Sequence, residues 1–158
     1  MAVYPKSDTE RRIGAVDLQQ WVTQIFAACG VAEIDAALLA DTLVAADIRG
    51  IHSHGVLRVP DYVKKLRHEG VDPRGRPSVV KDSGAALVVD GGNSMGQIGA
   101  HFAMEQAIER ARQTGVAAVA VRGSNHCGAM FCYTLQAVQA GMIGIAVTNA
   151  LPTMAPWG

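Results

Sequence analysis

The chain has 158 residues, about half of them apolar (49%), which is enough for one domain with a sizeable core. Its 14 basic and 14 acidic residues cancel and form no basic cluster, so the charge pattern does not indicate a nucleic acid or a membrane surface as partner. No apolar run has the length of a membrane span, and the three cysteines form neither a disulfide framework nor a CxxC pair, which is typical of a reduced, cytoplasmic protein.

The first third of the chain predicts two helices. Asp17 with Gln20 is a candidate cap for the first, and Gly30 is a typical helix end. A second helix is expected over about 33–49, ended by Gly50, and its high Ala and Leu content indicates that it is largely buried. The first helix should bury one face, made of Leu18, Trp21, Val22, Ile25, Phe26 and Cys29.

A short third helix should begin at Pro60 and end at Gly70, followed by the linker "VDPRGRP". Beyond it the pattern alternates between strands and helices, with at least one parallel pair of strands. The expected elements are a hairpin of "SVVKD" and "AALVVD" joined at Ser83-Gly84, a helix over 97–115 with Ile98, Phe102, Ile108 and Ala111 facing inward, a strand over 116–122 buried on both faces, a helix over 129–140 and a buried strand over 142–149.

The pattern therefore predicts an α/β protein with a helical N-terminal segment, residues 1–75, and a strand-containing domain, residues 76–158. The last residues, "TNALPTMAPWG", supply no closing helix or strand, which predicts that the chain is truncated.

Reactive side chains are concentrated in "GIHSHGVLRVP", residues 50–60, between the second and third helices. Three interpretations compete: a metal-binding pair of His52 and His54, an acid–base site, or a polar turn. Metal binding is disfavoured because no further ligand lies nearby in the sequence. For the acid–base site, His54 and Arg58 are four residues apart and would share one side of a helical turn. The histidine could exchange a proton and the arginine could bind a carboxylate, with Ser53 orienting the ring.

A second candidate is the loop "GSNHCGAM", residues 123–130, which follows a predicted strand and precedes a helix. In open α/β sheets ligands bind beyond the carboxyl ends of strands, and a helix N-terminus favours an anion. A capping turn with a solvated His126 would account for the same residues. The stretch "DGGNSMGQIG" matches neither G-x-G-x-x-G nor a P-loop, so a dinucleotide would not be held in the Rossmann manner.

Two long motifs resemble the malate/L-lactate dehydrogenase family, whose members lack a Rossmann fold. The segment "ADIRGIHSHGVLRVPDYVKKL" is similar to the family's D-x-R-G-x-x-S-H-G-x-x-R-x-P-x-Y pattern, and "SNHCGAMFCYTLQAVQAGMIGIAVTNALPTMAPWG" to its second block. The resemblance covers the chain from about residue 14 onward. It implies part of a mixed-sheet nicotinamide-binding domain, NAD or NADP as cofactor, a small carboxylate (a 2-hydroxy, 2-keto or imino acid) as substrate, and a homodimer.

The resemblance also implies roles for individual residues. His54 would be the proton donor for the substrate oxygen with Ser53 as its partner, and Arg58 would bind the substrate carboxylate. His126 competes with His54 for the acid–base role, and no metal is implied. The cofactor site would be lined by His126, Cys127, Gly128, Ala129, Met130 and, further out, Thr148.

The chain departs from the family pattern at His52, where relatives commonly carry an acidic residue, at Cys127, where an aromatic is common, and in length, since family members are about twice as long. Two functions follow: a dehydrogenase that transfers a hydride between NAD(P) and a 2-hydroxy or 2-keto acid, or a catalytically inert piece with a structural or dimerising role.

Overall fold

A computed structural model describes residues 12–68 and 70–150 of the chain. Within them, three helices are followed by a hairpin, a long helix, a third strand and a last helix. The elements are α1 (Ala15–Ala28), α2 (Glu33–Ile48), α3 (Val59–Arg67), β1 (Ser78–Ser83), β2 (Ala86–Asp90), α4 (Gly96–Thr114), β3 (Ala118–Arg122) and α5 (Phe131–Gln139).

The main core lies among the first three helices and the start of α4. α2 buries residues around much of its circumference, as its composition predicts, and α1 contributes Val22 and Phe26. Trp21 and Ile25, predicted to belong to the buried face of α1, remain 53% and 41% exposed. The buried cluster comprises Val22, Phe26, Val31, Ala36, Leu39, Ala40, Leu43, Tyr62, Leu66, Val71, Met95 and Ile98.

The sequence predicts the end of α1 correctly but not its start. Gly30 takes a left-handed conformation (φ +89°) directly after α1, as predicted for a residue without a Cβ. The predicted cap at Asp17 is wrong: α1 begins at Ala15 with Gly14 as its N-cap, which places Asp17 in the first turn. There its carboxylate still complements the positive end of the helix dipole.

The sheet has the order β1-β2-β3, with β1 and β2 antiparallel and β2 and β3 parallel. This confirms the predicted hairpin and the predicted parallel pair. α4 crosses between β2 and β3; its first turn is buried, including Ile98, whereas Phe102, Ile108 and Ala111 are half-buried.

Two predictions about the second half are wrong. β3 is shorter than 116–122 and is largely exposed instead of buried on both faces. Among the described residues it lies at the edge of the sheet and pairs with β2. Residues 142–149 form no strand: Ile143, Ile145 and Val147 are 94%, 81% and 89% exposed, and the segment has no ladder partner among the described residues. A strand needs a neighbour for its backbone hydrogen bonds, so the apolar pattern alone is insufficient.

Candidate active site

Asp47, near the end of α2, holds the turn that follows this helix. Its Oδ2 accepts the Val56 N–H at 2.8 Å, and its Oδ1 lies 2.7 Å from Nδ1 of His52. A Cβ on Gly55 would overlap the Asp47 carboxylate, so this position requires glycine for lack of space. His52 and Asp47 therefore hold the turn together, and this contact is where the structure places His52.

The clamped turn presents Ser53, His54 and Arg58. The predicted single helical turn is replaced by two short 3₁₀ turns, His52–His54 and Val56–Arg58, which meet at Gly55. Ser53 Oγ lies 2.9 Å from Nδ1 of His54. Arg58 folds back over the turn, since its Nε donates to the Ser53 carbonyl at 2.6 Å and its Nη1 donates to Asp61 at 3.2 Å.

The second predicted loop packs against the start of α4. Nδ2 of Asn125 donates to Oδ1 of Asn93 at 3.0 Å and to the Ser94 carbonyl at 2.9 Å. A Cβ on Gly96 would overlap the carbonyls of Asn125 and His126, so the glycine permits this close approach. The glycine-rich stretch before α4 thus positions the His126 loop.

The two loops meet at their histidines. The imidazole rings of His54 and His126 stack with centroids 5.5 Å apart and planes inclined by 23°. Below them, Tyr62 of α3 places its hydroxyl 2.6 Å from Nδ1 of His126. Nε2 of Gln97, a fully buried residue of α4, donates to the same hydroxyl at 3.2 Å. His54, His126, Tyr62 and Gln97 thus form one cluster, although the two histidines are 72 positions apart in the chain.

The surroundings of His126 and Tyr62 favour the neutral form of both side chains. Burial lowers the pKa of His126, the charges of His54, Arg58 and Lys65 lower it further, and Asp61 opposes them. Burial also raises the pKa of Tyr62 to about 12, against the opposing hydrogen bond from Gln97. At neutral pH, Tyr62 is therefore protonated and His126 is biased toward the uncharged imidazole.

A surface cavity of about 460 Å³ lies beside the cluster on the α3 side. His126 lines it, and His54 stacks on His126. Its charged groups are mainly positive, which suits a small anion. The lining includes Arg58, Asp61, Tyr62, Lys64, Lys65 and His68.

The residues expected at the cofactor site follow His126 in the loop. Gly128 has a left-handed backbone (φ +72°) and Ala129 is buried. The Cys127 carbonyl accepts the buried Tyr133 hydroxyl, and Met130 is the N-cap of α5. Burial raises the pKa of the Cys127 thiol, and a hydrogen bond with the exposed Thr148 opposes this shift. The structure thus brings Thr148 next to Cys127 although 21 positions separate them.

Metal-ligating side chains do not converge at this site. Over residues 12–68 and 70–150, no group of three or more His, Cys, Asp and Glu side chains has the geometry to hold a metal ion. In the same part of the chain, no helix is both long and apolar enough to cross a membrane.

Sequence reasoning missed three residues that build the site: Asp47, Tyr62 and Gln97. Asp47 and Tyr62 stand at the two ends of the first motif, D-x-R-G and P-x-Y, so their presence in the pattern was a usable signal. Gln97 carried no such signal. Its role depends on a contact with Tyr62, 35 positions earlier in the chain, which sequence spacing alone does not predict.

Comparison with known proteins decides the family. The sequence profile described as malate/L-lactate dehydrogenase matches residues 13–158. The chain belongs to this family. A malate dehydrogenase from Pyrococcus abyssi is 41% identical over 147 residues, covering 93% of this chain and 41% of that protein. An L-sulfolactate dehydrogenase from Methanocaldococcus jannaschii is 43% identical over 129 residues, covering 82% of this chain and 38% of that protein.

The fold is shared as well. The structure of malate dehydrogenase from Pyrococcus horikoshii OT3 matches with a TM-score of 0.83 at 33% identity, over 85% of this chain and 39% of that one. Both the family resemblance and the α/β fold class predicted from the sequence are therefore confirmed. The chain spans about two fifths of the length of the relatives that it matches.

Proposed function

We propose that this chain carries the acid–base and carboxylate-binding part of a nicotinamide-dependent dehydrogenase that acts on small 2-hydroxy or 2-keto acids. The observation that carries the proposal is the stacked pair of His54 and His126 beside a cavity whose charged lining is mainly positive. One histidine can exchange a proton with the substrate oxygen, and the cations can hold the carboxylate next to it.

His54 is assigned the proton exchange. Ser53 Oγ engages Nδ1, so Nε2 is the ring nitrogen that would face the substrate. In the reducing direction, Nε2 gives its proton to the carbonyl oxygen while the C2 carbon gains a hydride, and the product is the 2-hydroxy acid. In the oxidising direction, Nε2 takes the hydroxyl proton. Ser53 holds the ring in the orientation that this transfer requires.

Arg58 is assigned to the substrate carboxylate. Its Nε is held by the Ser53 carbonyl, which fixes the guanidinium close to the His54 turn, and its Nη1 already binds a carboxylate, that of Asp61. An incoming substrate would take the place of the Asp61 contact. Lys64 and Lys65 add positive charge to the same cavity and would favour substrates with a second acidic group.

The residues after His126 fit a nicotinamide by their chemistry. Gly128 permits close approach of the backbone, and the Thr148 hydroxyl beside Cys127 adds a group that can both donate and accept a hydrogen bond. When bound there, NAD or NADP would supply or accept the hydride. His126, Cys127, Gly128, Ala129, Met130 and Thr148 are proposed to hold it.

The test is the rate of NADH and NADPH oxidation with oxaloacetate, pyruvate and sulfopyruvate. It is run on the 158-residue chain and on a chimera in which residues 13–150 replace the matching part of the Pyrococcus abyssi enzyme. We expect His54→Ala to lower kcat about 100-fold or more, as general acid–base catalysis contributes. His101→Ala is the matched control, because His101 pairs with Glu105 on α4 and is no part of the cluster.

Turnover by His54→Ala at the rate of the His101→Ala control would refute the assignment of the acid–base group. A second candidate function, a structural or dimerising role, is favoured by the exposed apolar side chains of residues 143–147. Titration of the 158-residue chain with NADH, followed by tryptophan fluorescence, separates the two. Saturable binding supports the dehydrogenase, and no binding together with a stable dimer supports the structural role.

A further inference from the structure

We propose that Tyr62 and Gln97 are positioning residues that hold His126 as a neutral imidazole with its proton on Nε2. His126 then donates a hydrogen bond from Nε2 to the bound acid, and the proton exchange belongs to His54 alone. The second statement rests on the proposed function; the first concerns the protein without any ligand.

The direction of the hydrogen bonds follows from Gln97. An amide nitrogen can donate but not accept, so the Nε2 of Gln97 makes the Tyr62 oxygen an acceptor at 3.2 Å. The single proton of the Tyr62 hydroxyl is then directed at His126, whose Nδ1 lies 2.6 Å away. Nδ1 must therefore present a lone pair, which leaves the ring proton on Nε2.

A second donor reaches the same nitrogen. The N–H of Gly128 points at Nδ1 of His126 from 3.4 Å, and a backbone N–H cannot accept a hydrogen bond. Two donors that approach Nδ1 from different elements, α3 and the loop before α5, are incompatible with a proton on that atom. The opposite tautomer would need the Gln97 amide to turn over, so that its Oε1 accepts the Tyr62 proton.

The charges around His126 also favour the neutral ring. His54 and Arg58 face it from the clamped turn, and Lys65 faces it from α3; each disfavours a second positive charge. Asp61, also on α3, opposes them but is engaged by Arg58. Burial of part of the ring adds to the penalty on imidazolium. A histidine whose pKa is lowered is biased toward the neutral ring, and the neutral ring can donate a hydrogen bond from Nε2 without giving up its proton.

Burial of the pair makes the arrangement rigid. Tyr62 is 2% exposed and Gln97 is fully buried, so neither side chain can exchange its partner for water at low cost. Tyr62 also packs its ring against Phe26 in the main core, with centroids 6.3 Å apart. The orientation of His126 is thus tied to the core of the helical part of the molecule.

The experiment is ¹⁵N NMR of the histidine side chains in the 158-residue chain without ligand, with the His126 signals identified by their loss in His126→Asn. We expect an unprotonated, hydrogen-bonded Nδ1 and a protonated Nε2. In Tyr62→Phe and in Gln97→Met, the Nδ1 signal should move and the pH midpoint of His126 should rise by about half a unit, a threefold change in proton affinity. Tyr62→Phe deletes a bond that only the neutral ring accepts, and Gln97→Met lets the Tyr62 oxygen accept from the imidazolium.

Tyr133→Phe is the matched control, since it also deletes the hydroxyl of a buried tyrosine, one that reaches from α5 to the His126 loop and donates to the Cys127 carbonyl. It should leave the His126 signals in place. A protonated Nδ1 in the wild type would overturn the proposal without the need for any variant. Equal spectra for Tyr62→Phe, Gln97→Met and the control would overturn it as well.

Addition of oxamate, a stable analogue of a 2-keto acid, separates this proposal from the proposed function. If oxamate shifts the His126 Nε2 signal, both stand. If oxamate leaves all histidine signals unchanged while Nδ1 behaves as expected, the positioning by Tyr62 and Gln97 stands. The donation to substrate and the function of the site are then refuted.

Discussion

The helical part of the molecule, residues 12–68, and the last part, residues 116–150, are both rich in apolar side chains but bury them to different extents. Phe26, Leu39 and Leu43 are completely buried among α1, α2, α3 and the start of α4. Ile143 and Ile145 are almost completely exposed, although Gly144 between them lies against α5. An apolar pattern indicates which side chains gain by burial; the partner elements decide whether burial happens.

The candidate site lies between these two parts and depends on both. His54 and Tyr62 come from the helical part, where the Asp47 clamp and the core hold them. His126 comes from the loop after β3, the exposed edge strand. Its position is secured by Asn125, by Tyr62 of the helical part and by Gln97 of α4, so a histidine on an exposed loop is held by buried side chains from two other elements.

Replacing one buried and one exposed aliphatic side chain tests this difference most strongly. Leu43→Ala removes a fully buried side chain and should lower the free energy of unfolding by about 2–5 kcal/mol. Ile145→Ala, at a position 81% exposed, should change it by no more than about 0.5 kcal/mol. Urea denaturation of the two variants and the wild type measures both values. Similar losses for the two variants would show that residues 142–150 are packed in solution.

Replacing an aspartate should change stability less than Leu43→Ala does, and the size of the change should depend on what the aspartate contacts. Asp47→Ala leaves the Val56 N–H without its acceptor and removes the contact with His52, so a loss of about 1–3 kcal/mol in unfolding free energy is expected. Asp82→Ala breaks a surface ion pair between β1 and Arg110 of α4, in which the aspartate is the more exposed partner, and should leave stability nearly unchanged. Urea denaturation gives the losses, and faster amide exchange at Val56 in Asp47→Ala locates the change. Tolerance of Asp47→Ala would mean that other contacts hold the turn.

Local chemistry made much of the fold predictable. The end of α1 at Gly30, the hairpin and its antiparallel pairing, and the parallel strand after α4 follow from glycine conformation and from the periodicity of apolar residues. The failures lie where a partner element is needed. The predicted strand over 142–149 requires a ladder partner, and the double-sided burial of β3 requires layers on both faces, neither of which periodicity reveals.

The contacts of the site also fall into those that the sequence indicates and those that it does not. The contact between Ser53 and His54 joins neighbours in the sequence, and the motif alone was enough to single them out. The contact between Tyr62 and His126 joins residues 64 positions apart, and Gln97 joins them from a third element. Side-chain chemistry identified both histidines as candidates, but only the contacts of Tyr62 on α3 with His126 and with Gln97 on α4 reveal what holds His126.

The smallest effect on stability is expected where the molecule is most exposed. The double variant Ile143→Lys, Ile145→Lys should change the free energy of unfolding by no more than about 0.5 kcal/mol, because both side chains already face solvent. It should reduce self-association, since charged residues on an exposed apolar segment discourage contact between copies. Sedimentation velocity measures the association, with Trp21→Lys, on the half-exposed face of α1, as the control. If Trp21→Lys disrupts association and the double variant does not, copies of the chain meet through the helical part, and the exposed isoleucines face something other than a second copy.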